Sequence, residues 1–345
     1  MTDPFLMEIN RILFHYDLYP RHIEPKGRLV KVETEAGRFA LKRTKLTTAQ
    51  IGGLKIAYTL AGRLVIDAVT PLPSKYGDLV VSDEQSDSYL LPWIDETVEE
   101  EDLPERYRRL FLKAGQLHRG TLREEEDAAK LYASAARSAS YGKTVWEHFL
   151  DRAEHHTYPS PFEQAVLNTA AGYLGPLEQS IMFFSRGPSA EKESGGLRRA
   201  LCHGRLSPLH LLIAGERAAL TNFESCGEDF FIIETTALVE QASVMLEADA
   251  ALWHELIRLY LSACPLTAAE EAFLRHRLLA PRAPVDLLDH YLRGRSDDEM
   301  AFLRRWRYLG RRHTNAVAGI RQFFEARDKK KAAEQAAEQA AETGG

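Results

Sequence analysis

The chain has 345 residues, enough for one large domain or two small ones with a substantial core. Hydrophobic content of 45% and charged content of 27% are those of an ordinary globular protein. A net charge of −6 and a pI near 6.1 leave no electrostatic footprint for nucleic acid, so a nucleic-acid partner is not expected. Cys202, Cys226 and Cys264 are an odd set without metal-type spacing, which points to a reducing compartment. No apolar run approaches the roughly 20 residues of a membrane span. The short apolar stretches around Asp3 and Glu8 lack a signal-peptide pattern. The expectation is a protein made and kept, at least at first, inside a cell, with no membrane span.

In chain order, Leu29 to Thr34 and Arg38 to Arg43 flank Glu35-Ala36-Gly37 and read as an antiparallel hairpin. A helix is predicted from about Thr47 to Arg63, with Ile51, Leu54, Ala57, Tyr58 and Ala61 on one face. Gly52-Gly53 weakens its start, since each glycine costs roughly 1 kcal/mol relative to alanine. Pro71 and Pro73 precede two more strand candidates, Asp78 to Val81 and Ser88 to Ile94. A small antiparallel sheet with one helix accounts for a first lobe over 1–88. Residues 89–96 then form a hinge, and 97–328 a second, mostly helical lobe.

The second lobe opens on the acidic Glu99 to Asp102 and on Pro104, a favourable first-turn residue. Tyr107, Leu110, Phe111, Ala114 and Leu117 then recur at helical spacing. Further amphipathic segments are predicted near 144–156, 161–182, 235–263, 267–279, 284–293 and 297–326, and Thr267 to Glu270 has capping-box spacing. Residues 186–197 read as an exposed loop. The 329–345 tail, with Lys329 to Lys331 and Ala/Glu/Gln repeats, reads as a solvated helix or a disordered segment.

Between these helices, Ala200 to Ile233 breaks the rhythm with short apolar runs, as a small hairpin would. It contains Cys202-His203-Gly204-Arg205 and, five residues past Arg205, His210; Asn222-Phe223-Glu224 follows. Phosphoryl-transfer loops of the kinase-like fold need an Asp to orient the attacking hydroxyl, an Asn for metal, and an Asp that holds Mg²⁺. Those three places hold Arg205, His210 and Asn222. A guanidinium cannot accept a proton and repels Mg²⁺. Imidazole is a poor ligand for a hard cation, and Asn222 keeps the size of Asp without its charge. Three such changes in one site argue against turnover.

The segments Lys31 to Arg43, Tyr89 to Ile94, Ala114 to Thr121 and Leu201 to Leu212 resemble, in order and spacing, the CotS/YutH group of spore-coat-associated proteins. That group is related to the aminoglycoside and choline phosphotransferases, and the resemblance covers most of residues 25–325. It implies an α+β, bilobal protein-kinase-like fold with a small antiparallel-sheet N-lobe and a larger, mostly helical C-lobe. His203 and Gly204 match the family motif, Arg205, His210 and Asn222 depart from it, and Phe223 and Glu224 are kept. Lys42 falls where the family keeps its phosphate-binding lysine. Gln50 and Lys55 stand where its acidic partner belongs, and Pro25-Lys26-Gly27 is all that occupies the place of a glycine-rich loop.

Blander readings stand beside these. Lys42 can be a solvent-facing strand lysine, His203 a brace for its turn, His118 a packed histidine, and His155-His156 a helix end. A zinc site from Cys202, His203, His210 and Cys226 lacks paired spacing. Cys202 as a nucleophile beside His203 fails because strand neighbours face opposite ways. Arg304, Arg305, Arg307, Arg311 and Arg312 around Trp306 read as the solvated face of a helix, rather than a site for an anionic partner.

Three functions follow. The first is a pseudokinase, not an enzyme, with no cofactor. It is a structural or scaffolding component that meets other spore coat proteins, first in the mother-cell cytoplasm and then in the coat. The second is a small-molecule phosphotransferase with a rearranged Mg²⁺ site using Glu224, with Glu228 or Asp229 beside it and Lys42 as the phosphate contact. The third is a nucleotide- or anion-binding module, with residual ATP binding through Lys42, Arg205 and Glu224.

Overall fold

The computed structural model describes residues 4–124, 128–188, 196–245, 249–294 and 298–343. It has the α+β architecture expected from the sequence: an N-terminal antiparallel sheet followed by a mostly helical remainder. Backbone contacts group the chain into two compact units. The first comprises Met1–Leu122, Arg199–Glu234 and Ser262–Cys264; the second comprises Arg123–Arg198, Thr235–Leu261 and Pro265–Gly345.

The first unit is built on a five-stranded sheet of order β1-β2-β3-β5-β4. Its strands are β1 (Pro20–Lys26), β2 (Leu29–Thr34), β3 (Gly37–Thr44), β4 (Val81–Ser82) and β5 (Asp87–Pro92). The β2–β3 hairpin lies where alternation predicts it. Strand β4 is shorter than the run from Asp78 suggests, because only Val81 and Ser82 pair with β5. Strand β1 was not anticipated, since Pro20 and Pro25 argue against a central strand; it is an edge strand, where proline is tolerated. A further unanticipated element, α1 (Pro4–Phe14), buries Ile9, Ile12 and Leu13 against Val30, Val32, Leu41 and Leu90 of the sheet.

Helix α2 (Thr48–Gly62) begins with a capping box between Thr47 and Gln50. Helix α3 (Leu103–Gly120) is capped by Asp102 and carries Pro104 in its first turn, as the acidic entry implies. Its buried residues recur at Tyr107, Leu110, Phe111, Ala114, Leu117 and His118. The same face holds Arg106, which is 1% exposed. Its guanidinium donates to the carbonyls of Pro208 (2.9 Å), Leu211 (2.6 Å) and Val98 (3.2 Å), and to Glu96 Oε1 (2.9 Å). One buried cation thus ties the 208–211 segment to the 96–98 segment, with its donors satisfied as burial requires.

The rest of this unit is β6 (Arg199–Cys202), β7 (Leu211–Ala214), β8 (Arg217–Leu220) and β9 (Gly227–Phe230), paired β6-β9 and β7-β8, plus the start of α7 (Phe231–Ala242). The backbone of Leu220 bonds to Asp67 and Val69, which anchors β8 beside the chain that follows α2.

The second unit is helical: α4 (Ala129–Glu154), α5 (Pro161–Leu167), α6 (Ala170–Arg186), most of α7 and of α8 (Ala250–Ala263), α9 (Ala268–Leu278), α10 (Arg282–Leu292) and α11 (Glu299–Thr343). The predicted 161–182 helix is interrupted at Asn168 and Thr169, and the predicted 235–263 helix is broken at Ser243 and again at Asp249, with residues 246–248 outside the described set. Thr267 and Glu270 form the expected capping box. Of the predicted 186–197 loop, residues 189–195 lie outside the described residues. Helix α11 continues through Lys329 to Thr343, the helical alternative for the tail. The core gathers Trp146, Phe149, Phe162, Tyr173, Phe302 and Trp306. Trp146 and Trp306 meet edge-to-face at 5.5 Å, and Trp306 and Leu309 are buried as the amphipathic pattern implies. His313 is stacked on Tyr173 at 5.1 Å, and burial lowers its pKa to about 4.

Two outcomes are expected. Arg106→Ala lowers unfolding free energy by about 3 kcal/mol in urea denaturation, because it orphans buried acceptors; a loss below about 1 kcal/mol would contradict the hub. For His313, the folded pKa of about 4 lies below the unfolded 6.5, so its contribution is present above pH 6.5 and is lost as pH falls toward 4. The total is about 3 kcal/mol. Melting followed across this window should show the slope in the wild type and a shallower one in His313→Phe.

Candidate functional site

Strand β6 delivers His203, Gly204 and Arg205 into a turn that only glycine fits. Gly204 has φ of +81°, and a Cβ there would collide with the Ser225 carbonyl oxygen and stand 2.9 Å from its carbon. His203 is fully buried; its Nε2–H donates to the Thr221 carbonyl at 2.8 Å, and Nδ1 accepts the Arg205 amide at 3.3 Å. That pair of bonds selects the neutral Nε2–H tautomer. Burial lowers the His203 pKa to match, against the Thr221 bond and the Glu234 charge. His203 is the brace of the turn.

Glu234, in the first turn of α7, anchors that turn from below. Its Oε2 accepts the His203 amide (2.9 Å) and His118 Nε2–H (3.0 Å), and its Oε1 accepts the Gly204 amide (2.6 Å). Burial disfavours the charge, but the His118 bond and the backbone donors prevail and hold the carboxyl below its ordinary range. His118, 0% exposed, is a packed histidine with a structural carboxylate. Among the described residues, the metal-type side chains that come together are His118, Cys202 and Glu234, not the set Cys202, His203, His210 and Cys226. The carboxylate oxygens already take three donors. The Cys202 thiol is buried, and burial, then the charges of Glu234 and Asp229, push its pKa up, which removes it as a nucleophile.

Arg205, His210 and Asn222 lie around this frame. His210 donates Nδ1–H to the Arg205 carbonyl at 2.6 Å and stacks on His203 at 5.6 Å, so it closes the 205–210 loop on itself. Arg205 is exposed, and its guanidinium has no bonded partner among the described residues. Asn222 is left-handed, at φ 65° and ψ 52°, a conformation that asparagine adopts more easily than most residues. Phe223 is buried against His203 at 4.8 Å.

The sheet register places Lys42 opposite Tyr89. Both side chains reach Glu224. Lys42 Nζ donates to Glu224 Oε1 and, at 3.0 Å, to Asn222 Oδ1; the Tyr89 hydroxyl donates to the same Glu224 Oε1 at 2.6 Å. The Lys42 and Glu224 side chains are 18% and 12% exposed, so the pair is largely withdrawn from water. Burial works against the Glu224 charge, yet the Lys42 and Tyr89 bonds outweigh it and lower its pKa. Burial, with the Glu224 charge second, pushes Tyr89 up, so it remains a donor. The reading of Lys42 as a solvent-facing lysine without an acidic partner is therefore corrected. Its partner comes from the 223–225 turn, not from α2, where Gln50 is engaged in the helix cap.

Of the paired glycines in α2, Gly52 faces open space, while packing requires Gly53. A Cβ there would meet the Phe223 carbonyl oxygen at 2.9 Å and that of Cys226 at 3.0 Å. The helix thus packs backbone-to-backbone on the 223–226 segment, and the Cys226 thiol donates to the Gly53 carbonyl at 3.1 Å. Burial pushes the Cys226 pKa to about 12. Arg106, Tyr89 and Glu234 were not found as site residues from the sequence. Their spacing carries no motif, and only folding brings them to the loop. The β1–β2 connection, where a glycine-rich loop would lie, is the two-residue turn Gly27-Arg28 with Gly27 at φ +60°.

No protein-family model matches the sequence, and no curated protein matches it. Solved structures do share its fold. An aminoglycoside phosphotransferase from Alicyclobacillus acidocaldarius superposes with a TM-score of 0.71 at 16% identity, over 91% of this chain and 95% of that one. A spectinomycin phosphotransferase gives 0.57 at 12% identity, over 91% and 98%. An amicoumacin kinase gives 0.53 at 16% identity, over 89% and 92%. The chain has the fold of the aminoglycoside phosphotransferase and kinase-like structures. Among the described residues, no helix is long and apolar enough to cross a membrane.

Glu234→Gln tests the brace. With its folded pKa below the usual 4.5, the Glu234 contribution is present above that value and is lost as pH falls through the folded pKa. The variant should lose about 2 kcal/mol near neutral pH and show a flatter acid limb in urea titrations. An unchanged acid limb would contradict the assignment.

Proposed function

We propose that this chain is a pseudokinase, a phosphotransferase-fold protein that does not transfer phosphate and acts as a structural or scaffolding protein. The observation that carries this reading is the closure of Lys42 by Glu224, Asn222 and Tyr89. A lysine that serves a nucleotide presents its ammonium to phosphate oxygens. In an active site that lysine is also oriented by a helix Glu; here the carboxylate and the amide oxygen that hold it come instead from the 222–224 segment, on the side where metal and phosphate would lie. Arg205 adds a fixed positive charge where a proton acceptor belongs, and the Gly27-Arg28 turn is too short to fold over a triphosphate. The sequence resemblance to the CotS/YutH group supports a setting in the mother-cell cytoplasm and then the spore coat, with other coat proteins as partners.

The competing reading is a small-molecule phosphotransferase with its metal at Glu224. It requires Mg²⁺ to sit on the Glu224 carboxylate beside the Lys42 ammonium, with Oε1 already accepting from that ammonium and from the Tyr89 phenol. A nucleotide- or anion-binding module is favoured by one observation, the exposed and unbonded guanidinium of Arg205.

Thermal-shift titration with ATP, alone and with Mg²⁺ or Mn²⁺, separates the three. A site occupied at a hundred times its dissociation constant stabilises by about 2.7 kcal/mol. The wild type is expected to show no shift at millimolar nucleotide and no ATP turnover. A metal-dependent shift with turnover would overturn the proposal in favour of the enzyme. A metal-independent shift that Arg205→Asp abolishes would favour the binding module.

A further inference from the structure

Within the second unit, the face of α11 from Trp306 to Arg321 and the chain from Ala165 to Pro176 enclose a cleft of about 1020 Å³. That is the upper end of the range for small-molecule sites. We propose that this cleft binds an organic anion with a flat, apolar body. The floor is aromatic: Tyr173 and Trp306 meet at 5.5 Å, and His313 stacks on Tyr173 with 18° between the rings.

Two polar groups on that floor lack partners. Tyr173 and His313 are each 6% exposed. The Tyr173 hydroxyl has no hydrogen-bond partner, and no bond to the His313 ring nitrogens is found among the described residues. Buried polar groups are nearly always satisfied, so the orphaned Tyr173 hydroxyl, with the unbonded His313 ring stacked beside it, calls for a polar ligand atom between aromatic faces. Burial, with the Glu240 charge second, pushes the phenol to about 12, so it can only donate to that atom or accept from it as a neutral group.

Charge selects the sign of the ligand. Arg307, Arg311 and Arg321 line the cleft, and none of the described residues lining it is acidic. Arg307 has no bonded partner among the described residues, and Arg321 has only a helical i,i+4 contact with Glu325 at 4.0 Å. The arginine cluster that reads from the sequence as a solvated helix face therefore flanks an aromatic hollow on one side. Guanidinium groups over aromatic surfaces suit carboxylate, sulfonate or phosphate groups on planar bodies.

The test is a fluorescence titration of the full chain with 1-anilinonaphthalene-8-sulfonate, a flat aromatic anion, against N-phenyl-1-naphthylamine, its neutral counterpart. The proposal predicts one saturable site for the anion and binding at least about tenfold weaker for the neutral probe. Arg307→Ala with Arg321→Ala should weaken the anion by about tenfold or more while the neutral probe is unchanged. Ala318→Trp, which fills the cleft, should abolish saturable binding without altering the circular dichroism. Equal binding of the two probes, or undiminished anion binding in the double arginine variant, would overturn it. The arginines are exposed, so that variant stays informative even if Ala318→Trp fails to fold.

Discussion

Lys42 and Glu224 lie 182 residues apart in the chain, and their meeting decides what the site can do. An ammonium and a carboxylate removed from water must satisfy each other, because either left alone would carry a large desolvation penalty. Asn222 and Tyr89 complete the arrangement by accepting from the lysine and donating to the glutamate. An incoming phosphate has to displace a partner that is already paid for in desolvation, covalently tethered, and aimed by a buried phenylalanine on the adjacent residue. The Lys42 charge is neutralised inside the chain.

The frame around that pair persists because its supports are separate from the residues of the chemistry. Gly204 is required by its positive φ and by the Ser225 carbonyl, whatever follows it in sequence. Glu234 binds backbone amides and His118, and Arg106 binds backbone carbonyls. None of these bonds uses the side chains of Arg205, His210 or Asn222. Asn222 has a left-handed backbone, and His210 closes its loop on the Arg205 carbonyl. Arg205, His210 and Asn222 are therefore compatible with an ordered loop, since backbone geometry and buried polar satisfaction hold it.

Much of this was legible in the sequence, and the remainder was not for identifiable reasons. The β2–β3 hairpin, α2, the Pro104 entry to α3 and the Thr267 cap follow from alternation, periodicity and capping chemistry, which are local. The order His203-Gly204-Arg205, His210, Asn222 located the loops because their spacing is set by the hairpin. Strand β1 was hidden by two prolines that an edge position tolerates, and α4 extends earlier than expected because its start buries mainly small residues, Ala135, Ala139 and Gly142 beside Tyr132, which give a weak apolar period. The partner of Lys42 was sought on α2, where Gln50 proved to be committed to a cap. Glu224 reads from the sequence as a metal candidate, but no local rule pairs it with a lysine on a distant strand. Arg106 and Glu234 are invisible in the same way, because a charged residue on an amphipathic helix reads as solvated until tertiary packing buries it.

The central claim is that Lys42 is occupied by the chain itself, and its chemical reactivity reports this directly. Trace acetylation of the native protein, read by mass spectrometry, compares Lys42 with the exposed Lys45 in the same molecule. The account predicts that Lys42 labels much more slowly than Lys45, that Mg²⁺ and ATP leave its rate unchanged, and that Glu224→Gln raises it. Labelling at the rate of Lys45, or protection of Lys42 by Mg²⁺ and ATP, would contradict it.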